Sequence, residues 1–175
     1  MIMRPGHQLL LPANPLFIWS SLLGALSLNM LQNMGGGRAA WVPDFLALVL
    51  VFWSIHQPQR IGIGTAFIFG IFYDVHQGAL LGQHALSYTV LSFFAIAMHR
   101  RLLWFSVPSQ AFQVLPIFFV AHLIEVLCRM LSGAAFPGFL LLLAPLLEAL
   151  LWPLASVFFL LPQRQAPDPD ANRPL

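Results

Sequence analysis

The chain has 175 residues, 59% hydrophobic and 8% charged, with a formal net charge of +2. A soluble domain carries about a quarter charged residues, so this composition describes an integral membrane protein with little mass outside the bilayer. With no basic run to track a phosphate backbone, the small positive balance gives no ground for nucleic-acid binding.

Turn and charge signals cut the chain at Met34–Ala40, His56–Arg60, Gln77–Gly82, His99–Ser109 and Ser132–Gly138. Between the cuts the sequence predicts an all-α bundle of six transmembrane helices over residues 1–162, with spans at roughly 14–33, 41–55, 61–76, 83–98, 110–131 and 138–161. Spans in lipid must satisfy their own backbone, and helices do so. The first apolar run, Pro15–Leu31, is followed by Gln32 and Asn33 and not by a small-residue cleavage site, so it reads as a span and not as a signal peptide. A perpendicular span needs about 20 residues; the second and third fall short, and must be covered by neighbours or by a thinned interface. Pro116, Pro145 and Pro153 are tolerable in a packed bundle. The tail from Gln163 to Leu175 reads as disordered from its composition.

Arginine sets the expected orientation. With the N-terminus inside, Arg4, Arg60, Arg100, Arg101, Arg164 and Arg173 are cytoplasmic, and Arg38 and Arg129 lie outside. That distribution places both termini in the cytoplasm. The loop His99-Arg100-Arg101-Leu102-Leu103-Trp104-Phe105 is the densest basic and aromatic cluster, and reads as an interfacial anchor or as a docking site for a cytoplasmic partner. The single cysteine, Cys128, allows no disulfide or cysteine-based zinc site within one chain, and reads as a small buried hydrophobe.

Four of the six acids, Asp44, Asp74, Glu125 and Glu148, fall inside the apolar segments. A carboxylate at the bilayer centre costs roughly 2.5–3.5 kcal/mol on insertion scales, so these residues must face the bundle interior, water or a partner. Asp44, Asp74 and Glu125 come out at a similar outer level, with Glu148 nearer the middle of the sixth span. Asp44, after Pro43, stands where a helix cap is expected. In the third span Gly62, Ala66, Gly70, Asp74 and Gly78 recur every four residues. Such small-residue stripes let helices approach closely in lipid. The stripe serves packing within the bundle or a homodimer seam, and either turns Asp74 into a helix contact.

In the fifth span His122, Glu125 and Arg129 share a face, and Glu125 and Arg129 are spaced to pair. His122 would join that pair, ligate a metal or relay protons; His76 and His84 flank an outer loop, but no metal-ligand motif is present. No nucleophile motif, HExxH or phosphate-binding loop occurs, so neither enzyme chemistry nor a cofactor is expected.

The ordered features of residues 40–105 resemble the rod shape-determining protein MreD family. The residues that carry the resemblance are Pro43-Asp44-Phe45-Leu46, Pro58, Gly62, Ala66-Phe67-Ile68-Phe69-Gly70, Ile71-Phe72-Tyr73-Asp74, Gly78, Leu81-Gly82, Tyr88 and the His99-Arg100-Arg101 loop. Beyond residue 110 only length and hydropathy agree. The resemblance implies a bacterial inner-membrane component of the cell-elongation machinery. It further implies partnership with the transmembrane span of MreC, with MreB filaments on the cytoplasmic side and the cell-wall synthases reached through MreC. The family's architecture is similar to that of the substrate-binding subunits of energy-coupling-factor transporters, a likeness of fold and not of function. In the family the position after Pro43 is often Asp or Asn, which implies that Asp44 is needed as a cap and not as a charge. The expected function is a non-catalytic scaffold. The alternative is a binder of a small molecule or lipid-linked cell-wall precursor at the outer acidic level.

Overall fold

The computed structural model describes residues 13–33 and 41–163. The expected tail beyond Gln163, the first inter-helix segment around Arg38, and Arg4, Arg164 and Arg173 lie outside the described residues.

Six α-helices make up the described chain: α1 Pro15–Asn33, α2 Phe45–His56, α3 Ile63–Gln77, α4 Gln83–Leu102, α5 Val107–Leu131 and α6 Leu143–Leu160. A single 3-10 turn, Phe139–Leu142, leads into α6. Successive helices run in opposite directions. One end of the bundle therefore collects the C-termini of α1, α3 and α5 with the N-termini of α2, α4 and α6.

α2 is the centre. Every side chain from Leu46 to Ile55 is buried, with α1, α4 and α6 packed around it. A helix that is apolar on all sides has nowhere to sit but inside. This placement explains its shortness: 12 residues reach only about 18 Å, too little to cross hydrocarbon alone. Surrounded by longer helices, α2 does not have to. The stretches Val107–Leu131 and Phe139–Gln163 are long and apolar enough to span a membrane by themselves. The outward surface is apolar, with Trp104, Leu131, Phe139 and Phe112 between 79% and 90% exposed. Water would penalise so much exposed apolar area, and lipid does not.

Lipid also removes the hydrophobic drive between helices, so association must come from close packing and hydrogen bonds. The two ends of the bundle use different means. At the end holding the C-terminus of α2, aromatic rings interlock. Phe52 meets Trp53 at 5.0 Å and Phe159 at 5.0 Å, and Phe17 of α1 meets Trp53 at 6.0 Å. Trp53 Nε1 donates to Ser21 Oγ (2.8 Å) and Trp152 Nε1 to Gln110 Oε1 (3.2 Å), so neither indole is left unpaired. The opposite end is polar.

The α3–α4 pair shows close backbone approach. A Cβ built on Gly70 would fall inside contact distance of Ala85 Cα, 2.6 Å from the Ala85 nitrogen and 2.8 Å from the His84 carbonyl carbon. Only glycine fits there. Ala66, one turn earlier, is also buried. The rest of the expected stripe has other work. Gly62 is the residue before α3 begins, and Gly78 ends α3 at φ +61°, with no neighbour within 4 Å of either added Cβ. The packing partner of the stripe is α4 of the same chain.

Candidate functional site

The polar end is a layer to which all six helices contribute. Asp44 lies at its middle, fully buried. Its backbone is extended at the head of α2 and its Oδ1 accepts from the Ala47 N–H (2.8 Å), an N-cap. The same Oδ1 accepts from Asn29 Nδ2 of α1 (2.6 Å), and Oδ2 accepts from the Tyr88 hydroxyl of α4 (2.6 Å). The Asp44 N–H donates to Glu148 Oε1 of α6 (2.7 Å), and the Phe45 N–H donates to Asn29 Oδ1 (3.1 Å). His122 Nε2 of α5 stands 3.4 Å from Glu148 Oε1, while its Nδ1 meets the Phe118 carbonyl at 3.1 Å. Asn33 Nδ2 donates to the Tyr73 hydroxyl of α3 (3.1 Å), and the Tyr73 ring stacks near Tyr88 at 6.4 Å.

Asp74 holds the second knot. It sits in the last turn of α3, where the negative end of the helix dipole disfavours an acid. Its carboxylate leaves that helix and caps the next one. Oδ2 accepts from the N–H groups of Gly82 (2.9 Å) and Ala85 (3.3 Å), and Oδ1 from the N–H of His84 (2.9 Å). His84 Nδ1 also stands 2.7 Å from Oδ1. The turn that makes this possible has two left-handed glycines, Gly78 at φ +61° and Gly82 at φ +102°, a conformation that costs glycine nothing and other residues much. Close approach at Gly70, one turn before Asp74, brings α4 within the reach of a short side chain. Packing and capping at this crossing are therefore one device.

Glu125 joins α5 to α4: it accepts from Ser87 Oγ (3.0 Å), which also lies 3.0 Å from the Ala121 carbonyl. This corrects the expected pairing of Glu125 with Arg129. Glu125 is buried against α4 whereas Arg129 is exposed, and among the described residues no ion pair joins them. Shared spacing on one helix did not decide the partner; the neighbouring helix did. Glu148 is also shallower than expected. α6 begins only at Leu143, after the 3-10 turn, so Glu148 is in its second turn and level with Asp44. His99, Arg100 and Arg101 lie in the last turn of α4, at the other end of the bundle.

No cluster of three or more metal-ligating side chains in metal-holding geometry occurs among the described residues. An apolar groove of about 310 Å³ opens beside the layer, between α5, the 3-10 turn and α6, with Phe119, Val126, Phe139 and Leu142 in its walls and His122 its polar edge.

The family model described as rod shape-determining protein MreD matches residues 13–162, which takes in every helix of the bundle. The chain belongs to the MreD family. It is similar to the rod shape-determining protein MreD of Haemophilus influenzae, 30% identical over 115 residues, 63% of this chain and 68% of that protein. No solved structure matches the chain. Membership in the MreD family, with the apolar helices, makes this a membrane protein with a role in rod shape determination.

Asn29, Asn33, Tyr73, Ser87 and Tyr88 belong to the layer of this MreD protein, yet spacing alone did not single them out as partners of the acids. The available signal was depth: each is a polar side chain in an apolar helix, at the level of an intramembrane acid, where hydrogen bonds between helices are expected.

Proposed function

We propose that this member of the MreD family is a non-catalytic scaffold of the cell-elongation machinery. On this reading it crosses the bacterial inner membrane six times, with both termini cytoplasmic and the polar layer toward the periplasm. It binds the transmembrane span of MreC laterally, fixes its place in the complex, and so helps to control peptidoglycan synthesis and cell shape. Contact with MreB and the cell-wall synthases is indirect. On this reading the architecture resembles that of the substrate-binding subunits of energy-coupling-factor transporters, turned to assembly.

One observation carries the reading. The buried acids join helix to helix. Asp74 caps α4, Asp44 caps α2 and ties α1 and α4, Glu148 holds the head of α2, and Glu125 holds α4. A catalyst keeps a reactive group aimed at substrate; here those groups are turned inward on the fold. The surface left for interaction is the apolar outside. Purification of the full chain from rod-shaped cells should recover MreC in a fixed ratio. Background recovery from cells whose shape depends on this chain would overturn the scaffold.

Orientation has its own test. Among the described arginines, Arg60, Arg100 and Arg101 lie at the aromatic end and Arg129 at the polar end, in keeping with a cytoplasmic aromatic end. With Cys128→Ser as background, a cysteine at Ala79 should label from the periplasm, and cysteines at Gln59 and Ser106 only from the cytoplasm. The reverse pattern would invert the assignment.

The groove beside His122 favours a second reading, a binder of a lipid-linked cell-wall precursor, with the lipid chain in the groove. A prenyl chain retained there through purification would favour it.

A further inference from the structure

The acids of the described bundle gather at one end, which also carries Arg129. Asp44, Asp74, Glu125 and Glu148 are all in the polar layer, and the opposite end holds Arg60, Arg100 and Arg101 without a described acid. Arg60 is occupied, its Nη1 donating to the Ala13 carbonyl (2.9 Å). Arg100 and Arg101 are exposed in the last turn of α4. Among the described residues no carboxylate pairs with either.

The chain then turns with an unusual surface. Leu102 is buried and pins the turn, while Leu103, Trp104 and Phe105 are 43%, 90% and 42% exposed. The turn is a firm platform. The Leu103, Trp104 and Phe105 N–H groups donate to the carbonyls of His99, Arg101 and Leu102 at 3.1–3.2 Å. Gln110 Nε2 holds the Phe105 carbonyl (3.1 Å) while its Oε1 accepts from Trp152 (3.2 Å). Two guanidinium groups that pair with no described acid thus stand beside an indole and a phenyl ring exposed at the turn. Indoles settle at the headgroup level of a bilayer, where ring and N–H are both accommodated. Guanidinium forks match the paired oxygens of a phosphate.

We propose that the α4–α5 turn is a headgroup site for acidic phospholipids. Trp104 and Phe105 enter the interfacial layer, and Arg100 and Arg101 hold the phosphates. Charge complementarity selects this occupant, since the end of the bundle that carries the turn has cations and no described acid to answer them. The site rests on the chain being a membrane protein; it requires neither the MreC contact nor a particular orientation.

The test uses the full chain in nanodiscs of phosphatidylglycerol or of phosphatidylcholine with matched acyl chains, with retained lipid counted by native mass spectrometry. The wild type should retain phosphatidylglycerol preferentially. Arg100→Gln and Arg101→Gln should each weaken that retention by on the order of five-fold, leave phosphatidylcholine unchanged, and be mimicked by added salt. Trp104→Ala should lower retention of both lipids alike. Equal retention of the two lipids by the wild type would overturn the proposal. So would an undiminished preference in the double arginine variant. Protection of both arginines from a guanidinium-modifying reagent in cells, but not in acidic nanodiscs, would overturn it in favour of an acidic protein partner.

Discussion

Gly70→Leu should yield no folded protein, and Gly70→Ala should already be damaged. The first carbon of any side chain at this position meets the backbone of Ala85 and His84, which cannot rotate aside as a flexible side chain would. Overpacking of side chains in a core costs typically about 1–3 kcal/mol; backbone against a leucine should exceed that range. The loss is compounded because separation of α3 from α4 also draws Asp74 off the N–H groups it caps. Gly24→Leu is the control, since nothing lies within 4 Å of the position a Cβ would take there. Recovery of monodisperse protein in detergent, followed by its thermal unfolding, measures the contrast. If the Gly70→Leu and Gly24→Leu proteins are recovered and unfold alike, close packing at this crossing is not what holds the helices.

Asp74→Asn should be more damaging than Asp44→Asn, although both remove one buried charge. The difference lies in who the donors are. Both Asp74 oxygens accept from backbone N–H groups, Oδ1 from His84 and Oδ2 from Gly82 and Ala85. A backbone N–H cannot become an acceptor, so the new amide NH₂ must face donors whichever way it flips. Each donor left unsatisfied costs about 1–3 kcal/mol. At Asp44 one oxygen accepts from the Ala47 N–H and from Asn29, but the other accepts from a hydroxyl, that of Tyr88. A hydroxyl can turn and accept, so the cap survives and the expected loss is below about 1.5 kcal/mol. Thermal unfolding of the two variants gives the order, and a shape-complementation assay gives the consequence. Asp44→Asn should keep rod shape and partner capture, and Asp74→Asn should weaken both in proportion to its lost stability. Asp44→Asn protein that folds and captures its partner yet fails to restore shape would show that the charge itself is used, and the scaffold reading would fall.

That the chain folds into six helices was legible in the sequence; their ends were less so, since α4 runs on to Leu102 and α6 begins only at Leu143. Pro43-Asp44 marked the head of α2, and the four-residue recurrence through Gly70 marked the side on which α3 meets another helix. Periodicity reports which face of a helix is special, but not what that face meets. Glu125 has Arg129 four residues away on its own helix and Ser87 on another, and the bundle chose Ser87. Asp74 was placed in a helix contact, but its role as the cap of α4 depends on the path of the Gly78–Gly82 turn, which no spacing rule on α3 contains. The sequence puts Glu148 deeper than the structure does because the apolar run begins before the helix: residues 139–142 form a 3-10 turn. The groove at His122 arises from that same turn, and only the assembled shape reveals it.

The hydrogen bond from the Asp44 amide to Glu148 spans 104 positions in the chain. Ribosomes deliver the N-terminal elements first, so Asn29, Asp44 and Tyr88 are already in place while Glu148 is still unmade. The last helix is thus the closing piece of an arrangement begun by the first. A polypeptide cut short before Glu148 would carry the first five helices, with the head of its central helix lacking that acceptor. Such a fragment should be weakened at the head of α2 by about the 1–3 kcal/mol that an unsatisfied buried donor costs.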